Sequence, residues 1–311
     1  MKGKLINKPE INLYMESLRL ERWPRTFAII PGFIAFFVFY PHLEPARNPN
    51  TLDLSIRLFI ALLLTFFISI ANYIVNEITD APFDRYHPVK KKRPLVSGAI
   101  SHRVLIFIWI SLVTVSVTAG IIFFDETHHF VMGLLALLTA GILYNVPPFR
   151  LKDIPYLDST IEAVNNPIRF LIGWSIVGEN FPPIILLASW WAFGNFLMVG
   201  KRVAEKRFLG DEISANYRST LKKYQIPRLE FFMILNAIVF LITFSWFAIQ
   251  SRYISFLFSI PFLGVYLFMF FKKYTQEIDG AEDPEILMRN PYFAFYTLFL
   301  IAVFLLAYII H

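Results

Sequence analysis

Asn72, Asn76, Glu77, Asp80 and Asp84 place five oxygen-bearing side chains within one stretch at the end of a long apolar run. At roughly 100° per residue they fall within an arc of about 140° on a helix. A face of that kind suits a hard cation such as Mg²⁺, which bridges one or two carboxylates to a substrate diphosphate. Asn76, Glu77, Asp80 and Asp84 are the candidate metal ligands, with Asp80 and Asp84 central to catalysis and Asn72 a substrate contact one turn back. Pro82 is expected to kink or end the helix near Ala81, leaving Asp84 on the first turn beyond. The plain alternative is a solvated helix end whose charges balance the basic run that follows. Carboxylates beside a membrane span more often mark a site.

That basic run reads His87-Pro88-Val89-Lys90-Lys91-Lys92-Arg93-Pro94. Lys90 and Arg93 are candidates to hold phosphate oxygens, although a cytoplasmic loop would carry such cations for topology alone. A second polar set, Asp158, Glu162, Asn165, Asn166 and Arg169, shares one helical face through spacings of three, four and seven. Ionisable groups there must face a bundle interior or a wet cavity. Asp158 and Arg169 are candidate substrate contacts, and a structural contact of Asp158 or Glu162 with Arg169 is the alternative. Tyr144, Arg150, Lys152 and Asp153 form a charged turn just before this set. Tyr144 and Lys152 are further candidates, and the turn would also serve as a topological anchor. The third set is Gly200-Lys201-Arg202-Val203-Ala204-Glu205. Lys201 and Glu205 are spaced for an intrahelical ion pair worth a few tenths of a kcal/mol. Lys201 and Arg202 at the mouth of an acidic cavity would instead clamp an anion, with Glu205 beside them.

The elements that position these groups are membrane helices. Of 311 residues 56% are hydrophobic and 17% aromatic, which a soluble domain of this length would not tolerate. Apolar runs at 26–42, 55–76, 104–124, 129–146, 159–178, 182–200, 229–250, 253–271 and 291–310 predict about nine spanning helices. The net charge of +6 comes from cations in short loops and reports topology, so nucleic acid is not an expected partner. Lys and Arg gather in alternate loops, which predicts a cytoplasmic amino terminus and a carboxyl terminus outside. Residues 1–25 read as an amphipathic amino-terminal segment, with 9–24 an interfacial helix presenting Ile11, Tyr14, Leu18 and Trp23 on its apolar side. There is no cysteine, so disulfides, thiolate metal sites and cysteine nucleophiles are excluded. Walker A, dinucleotide-binding, H-E-x-x-H and G-x-S-x-G patterns are absent as well.

The run Asn76-Glu77-x-x-Asp80-x-x-x-Asp84 resembles the first signature of the UbiA superfamily of intramembrane transferases, N-D-x-x-D-x-x-x-D, with Glu in place of the first Asp. Within that superfamily the chain looks most like the decaprenyl-phosphate phosphoribosyltransferase branch. That branch has H-P-x-K-x-x-R-P after the aspartates and G-K-R-x-A-E after the sixth helix, matched here at His87–Pro94 and Gly200–Glu205. Similarity extends to Leu151-Lys152, Arg169, Gly173, Arg218 through Leu221 to Tyr224, Asp279-Gly280 and Pro284-Glu285. At the amino end Leu18–Arg25 departs from the branch's R-P-x-Q-W-x-K-N, leaving Arg19, Trp23 and Arg25 as matches. Where other members carry a second D-x-x-x-D, this chain has Lys201-x-x-x-Glu205.

The resemblance implies one integral membrane transferase domain over residues 1–311, in the cell inner membrane, using Mg²⁺. Its expected reaction moves a 5-phosphoribosyl group from phosphoribosyl diphosphate to a polyprenyl phosphate, with Lys201, Arg202, Lys152 and Arg169 positioning the lipid phosphate. The second expectation is prenyl transfer from a prenyl diphosphate to an aromatic or other small acceptor. A transporter or lipid-binding scaffold would also show polar helix faces, but its site would sit at mid-bilayer and not at the helix mouth.

Overall fold

The computed structural model describes residues 10–39, 50–85, 90–217, 219–276 and 290–311. The described residues are helical and contain no strand. His87, Pro88, Arg218, Asp279, Gly280, Pro284 and Glu285 lie outside them, as does the side chain of Lys90. The chain folds into two compact units. The first comprises Met1–Phe33, Glu44–Arg150 and Ile172–Glu179, the second Ile34–Leu43, Leu151–Leu171 and Asn180–His311.

The helices are α1 (Glu10–Ser17), α2 (Ile30–Phe39), α3 (Thr51–Asp84), α4 (His102–Phe123), α5 (His128–Asn145) and α6 (Leu157–Trp174). They continue with α7 (Ile184–Tyr217), α8 (Ser219–Lys223), α9 (Ile226–Gln250), α10 (Ile260–Gln276) and α11 (Pro291–Ile310). Among the described residues seven helices are long and apolar enough to cross a membrane: α3, α4, α5, the first part of α7, α9, α10 with the 3-10 turn before it, and α11. The other two expected runs fall on α2, which is only 10 residues long, and on α6, whose face carries Asp158, Glu162 and Arg169.

In the first unit, α3 starts where Asn50 caps it, its side chain accepting the Asp53 N–H at 2.8 Å. At 34 residues it extends for about 51 Å, well beyond roughly 30 Å of hydrocarbon, so its polar end from Asn72 to Asp84 must emerge from the apolar layer. The helix does not end at Ala81: it runs through Pro82 to Asp84. Proline removes one hydrogen bond, to Ile78, and so near the terminus few further turns depend on it. Asp84 therefore stays on the same helical face as its neighbours. Ile70, Ile74 and Ala81 of α3 pack with Leu95, Ile100 and Leu105, and Leu13, Tyr14, Leu18 and Leu20 close over them.

The amino-terminal segment is not one helix over 9–24. It breaks at Arg19, whose backbone is left-handed at φ 51°, and continues as a 3-10 helix over Leu20–Ile29. Tyr14 and Leu18 pack inward on the core, while Ile11 and Trp23 are exposed.

In the second unit α7 packs against α9, and Asn195 donates to the Asn236 side chain at 2.9 Å across that seam. Glycines set two close approaches on α7: a Cβ on Gly194 would lie 2.0 Å from the Asn166 side chain, and one on Gly200 2.4 Å from the Tyr274 ring. Gly200 thus lets α10 close against the turn that presents Lys201 and Arg202. Like α3, α7 is 34 residues long, and its Lys201–Glu205 stretch follows the apolar part.

Candidate functional site

Each unit holds a charged cluster. In the first, the face of α3 fans out across neighbouring elements in the order its residues take around the helix. Asn72, at one edge, donates to the Leu137 carbonyl of α5 at 2.9 Å and sits where a Cβ on Gly141 would be 2.1 Å from its oxygen. Asp80, further round, meets Arg150 at 3.1 Å, just past the end of α5. Asp84 and Glu77, at the far edge and two turns apart, share Arg93: Nη1 lies 2.5 Å from Asp84 and 3.5 Å from Glu77. Glu77 also takes Arg19 at 3.2 Å and is only 2% exposed. Asn76 lies between Asn72 and Asp80 on the same arc, half-buried.

Local sequence explains how the three arginines arrive. Arg19 sits between Leu18 and Leu20, both packed on the core, so the chain turns there through a left-handed residue. Arg93 opens a turn closed by Ser97 N–H to its own carbonyl at 2.9 Å, with Leu95 buried inside it. Arg150, also left-handed at φ 34°, donates to the carbonyls of Thr79 and Asn145 at 3.3 and 3.4 Å, and its guanidinium lies 4.4 Å from the Phe83 ring centre. Non-glycine residues held at positive φ carry a backbone cost of order 1–3 kcal/mol, which such sites tolerate when the side chain is needed. Three guanidinium groups balance three carboxylates here. Guanidinium N–H donors match phosphate oxygens as well as carboxylates, so each pair can be exchanged for a bound anion.

In the second unit, Arg202 is 1% exposed and distributes its nitrogens over three carboxylates. Nε reaches Asp158 at 2.9 Å, Nη1 Glu205 at 2.9 Å and Nη2 Glu162 at 2.5 Å. Asp158 is fully buried and accepts also from the Ser159 N–H at 2.8 Å and from the Tyr224 hydroxyl. Tyr224 in turn accepts the Tyr156 N–H at 2.8 Å, where Tyr156 is another left-handed residue. Burial, and after it the Asp158 charge, pushes the Tyr224 hydroxyl far above its ordinary value, so it stays a proton donor. Glu205 therefore joins Arg202 at i,i+3. Asp158 and Glu162 reach across to Arg202, a contact that the sequence expectation of an Arg169 partner did not foresee. Arg202 is first of all the tie between α6 and α7.

The other expected residues are distributed between the units. Tyr144 is half-buried on α5 in the first. In the second, Lys152 is buried in a 3-10 turn over Leu151–Asp153, Arg169 is half-buried on α6, and Lys201 is half-buried on α7. Sequence reasoning missed Arg150 as a partner of Asp80, reading it as a topological anchor, and gave no role to Tyr224, which it names only among the residues that carry the resemblance. The signals were weak: an arginine two residues past Pro147-Pro148, and a tyrosine after Lys222-Lys223. Glu162, on the helix face that the spacing picks out, is a further member of this cluster.

The fit to a divalent cation rests on the donor set. Asn76, Asp80 and Asp84 offer amide and carboxylate oxygens on one side of α3. Among the described residues no group of three His, Cys, Asp or Glu stands close enough to hold a metal alone. Two carboxylates and an amide suit Mg²⁺, which commonly takes its remaining ligands from water and substrate phosphates.

The sequence profile of the UbiA prenyltransferase family matches residues 28–298. The chain is 24% identical to a decaprenyl-phosphate phosphoribosyltransferase of Mycobacterium tuberculosis (strain CDC 1551 / Oshkosh), over 92% of this chain and 91% of that protein. It is 31% identical to a lycopene elongase/hydratase of Haloarcula japonica, over 60% of each. A solved UbiA homolog from Archaeoglobus fulgidus bound to GPP and Mg²⁺ superposes with a TM-score of 0.67 at 20% identity, covering 95% of this chain and 99% of that one.

Proposed function

Given that the chain belongs to the UbiA prenyltransferase family and is an integral membrane transferase, we propose that it moves a 5-phosphoribosyl group from phosphoribosyl diphosphate to a polyprenyl phosphate at the cytoplasmic face of the cell membrane. The observation that carries this reading is the likeness to decaprenyl-phosphate phosphoribosyltransferases along nearly the whole chain. The charged runs support it. The oxygen-rich face lies on α3, while α7 has Lys201-Arg202 preceding Glu205, and the carboxylates of the second unit are gathered on Arg202.

In the reaction the bond from the anomeric carbon to the diphosphate breaks, a bond from that carbon to a lipid phosphate oxygen forms, and diphosphate leaves. Mg²⁺ held by Asn76, Asp80 and Asp84 would neutralise the leaving diphosphate. Arg93 and Arg150 guard those carboxylates and can pass their N–H donors to phosphate oxygens as the donor arrives. The lipid phosphate is already an anion at neutral pH, so its attack needs no strong general base. Lys201, Lys152 and Arg169 are the cations assigned to orient it, with Arg202 holding Asp158, Glu162 and Glu205 together.

A second reading is prenyl transfer from a prenyl diphosphate to a small acceptor, favoured by the likeness to lycopene elongase/hydratase. The two differ in donor. Purified protein in lipid with Mg²⁺ should release diphosphate from phosphoribosyl diphosphate only when polyprenyl phosphate is added. Release from a prenyl diphosphate, with none from phosphoribosyl diphosphate, would establish the second reading instead.

A further inference from the structure

Glu77 occupies the position that the sequence pattern assigns to a metal ligand, but its surroundings in the first unit are those of an anchor. Its side chain is 3% exposed, and the same oxygen, Oε2, takes Arg19 at 3.2 Å and Arg93 at 3.5 Å. Around α3 it lies on the far edge of the polar arc from Asn76, whereas Asp80 lies between them. Arg93 joins Glu77 to Asp84 through one nitrogen, Nη1, and Arg19 uses only Nη2 in these contacts. Each guanidinium thus meets the carboxylates through one nitrogen of its three, with side chains 14% and 24% exposed. Arg19 is held there at a left-handed backbone, and its guanidinium also lies 6.0 Å from the Tyr73 ring centre.

We propose that Glu77 is a positioning residue that acts through Arg19 and Arg93, fixing the two guanidinium groups as a receptor for phosphate oxygens, and is not a ligand of the divalent cation. The longer arm of glutamate has a reason on this reading. It carries the carboxylate past the metal-facing side of α3 to the two arginines, where an aspartate at the same azimuth would stop one methylene short. Two guanidinium groups with donors to spare match an anion bearing several oxygens, such as a diphosphate. This inference rests on the proposed use of a diphosphate donor.

The test separates metal from anion. Mn²⁺ is used as the probe for the cation site, followed by electron paramagnetic resonance, and inorganic diphosphate as the probe for the anion, followed by calorimetry with Mn²⁺ present. Glu77→Gln and Glu77→Asp should both keep Mn²⁺ affinity within about threefold of wild type, while Asp80→Asn loses far more. Diphosphate should bind about tenfold more weakly, or worse, in both Glu77 variants, as expected for disordering a charge-assisted contact. Should either Glu77 variant fold poorly, as judged by its melting midpoint, Arg93→Lys and Arg19→Lys must reproduce the pattern of intact Mn²⁺ binding with weakened diphosphate. A Glu77→Gln protein that loses Mn²⁺ as Asp80→Asn does, or a Glu77→Asp protein that binds Mn²⁺ more tightly, overturns the proposal and restores Glu77 as a ligand. Wild-type protein that binds no diphosphate overturns both this inference and the function it rests on. Wild-type binding with unaffected variants overturns the inference alone.

Discussion

Replacing Arg202 with alanine separates its two conceivable jobs, tying α6 to α7 or contacting a substrate anion. Among the four groups of the cluster one guanidinium faces three carboxylates. Its removal takes a guanidinium away from Asp158, fully buried, and from Glu205, 5% exposed. Removing one partner of a buried charge pair costs about 3–5 kcal/mol, because the other charge stays desolvated. Glu162 is more exposed, at 24%, so solvent screens its share and it adds little. Arg202→Ala should therefore lower stability by about 3–5 kcal/mol, a large part of what holds an ordinary domain folded. Arg202→Lys keeps the charge but presents a compact ammonium in place of the planar fork, and should lose roughly 1–3 kcal/mol. Thermal unfolding followed by tryptophan fluorescence reads both; thiol-reactive dyes do not serve, since the chain has no cysteine. Asp158→Asn in the Arg202→Ala background should recover part of the lost midpoint by removing one buried charge. An Arg202→Ala protein that melts like wild type yet turns over no substrate would refute the reasoning and return Arg202 to the anion.

Asp80→Asn and Asp84→Asn should each abolish Mg²⁺-dependent turnover while leaving the melting midpoint within a few degrees of wild type, and full activity in either would remove the cation from α3. Tyr224 supplies a pH test of the second cluster. Its raised folded-state value means the folded protein holds a proton that the unfolded chain has lost above about pH 10. The stabilisation is thus complete below that pH and lost as pH climbs beyond it, so midpoints above pH 10 should fall more steeply for wild type than for Tyr224→Phe. Equal slopes would contradict the burial of the Tyr224 hydroxyl beside Asp158. Topology is tested by Lys91→Cys and Lys222→Cys, which should react only with thiol reagents admitted to the cytoplasmic side; labelling of either from outside would reverse the orientation.

Much of the architecture was legible because membrane helices announce themselves by apolar length, and the 3.6-residue period places Asn76, Glu77, Asp80 and Asp84 on one face without any tertiary information. Partner choice was not legible. Arg19, Arg93 and Arg150 reach the α3 face from three separate segments, two of them through left-handed residues that no local pattern signals. Lys201 and Glu205 looked like a pair because i,i+4 spacing is all that sequence offers, yet Asp158 and Glu162 come from α6 to meet Arg202, and Glu205 joins them. Pro82 misled for a related reason: a proline one turn from a helix end costs little, and the residues beyond it still pack, with Asp84 buried against Arg93. The split at Arg19 was hidden because the apolar positions from Ile11 to Trp23 fit one stripe on paper, while Leu18 and Leu20 are both drawn to the same core.

Phosphoribosyl transfer is tested most directly by the mass of the lipid product formed by purified protein in bilayers supplied with Mg²⁺, phosphoribosyl diphosphate and polyprenyl phosphate, with a prenyl diphosphate and small aromatic acceptors offered in parallel. The expected product is a polyprenyl phosphate heavier by one phosphoribosyl group, formed with release of diphosphate, and no prenylated acceptor. A prenylated acceptor with the polyprenyl phosphate unchanged would contradict it.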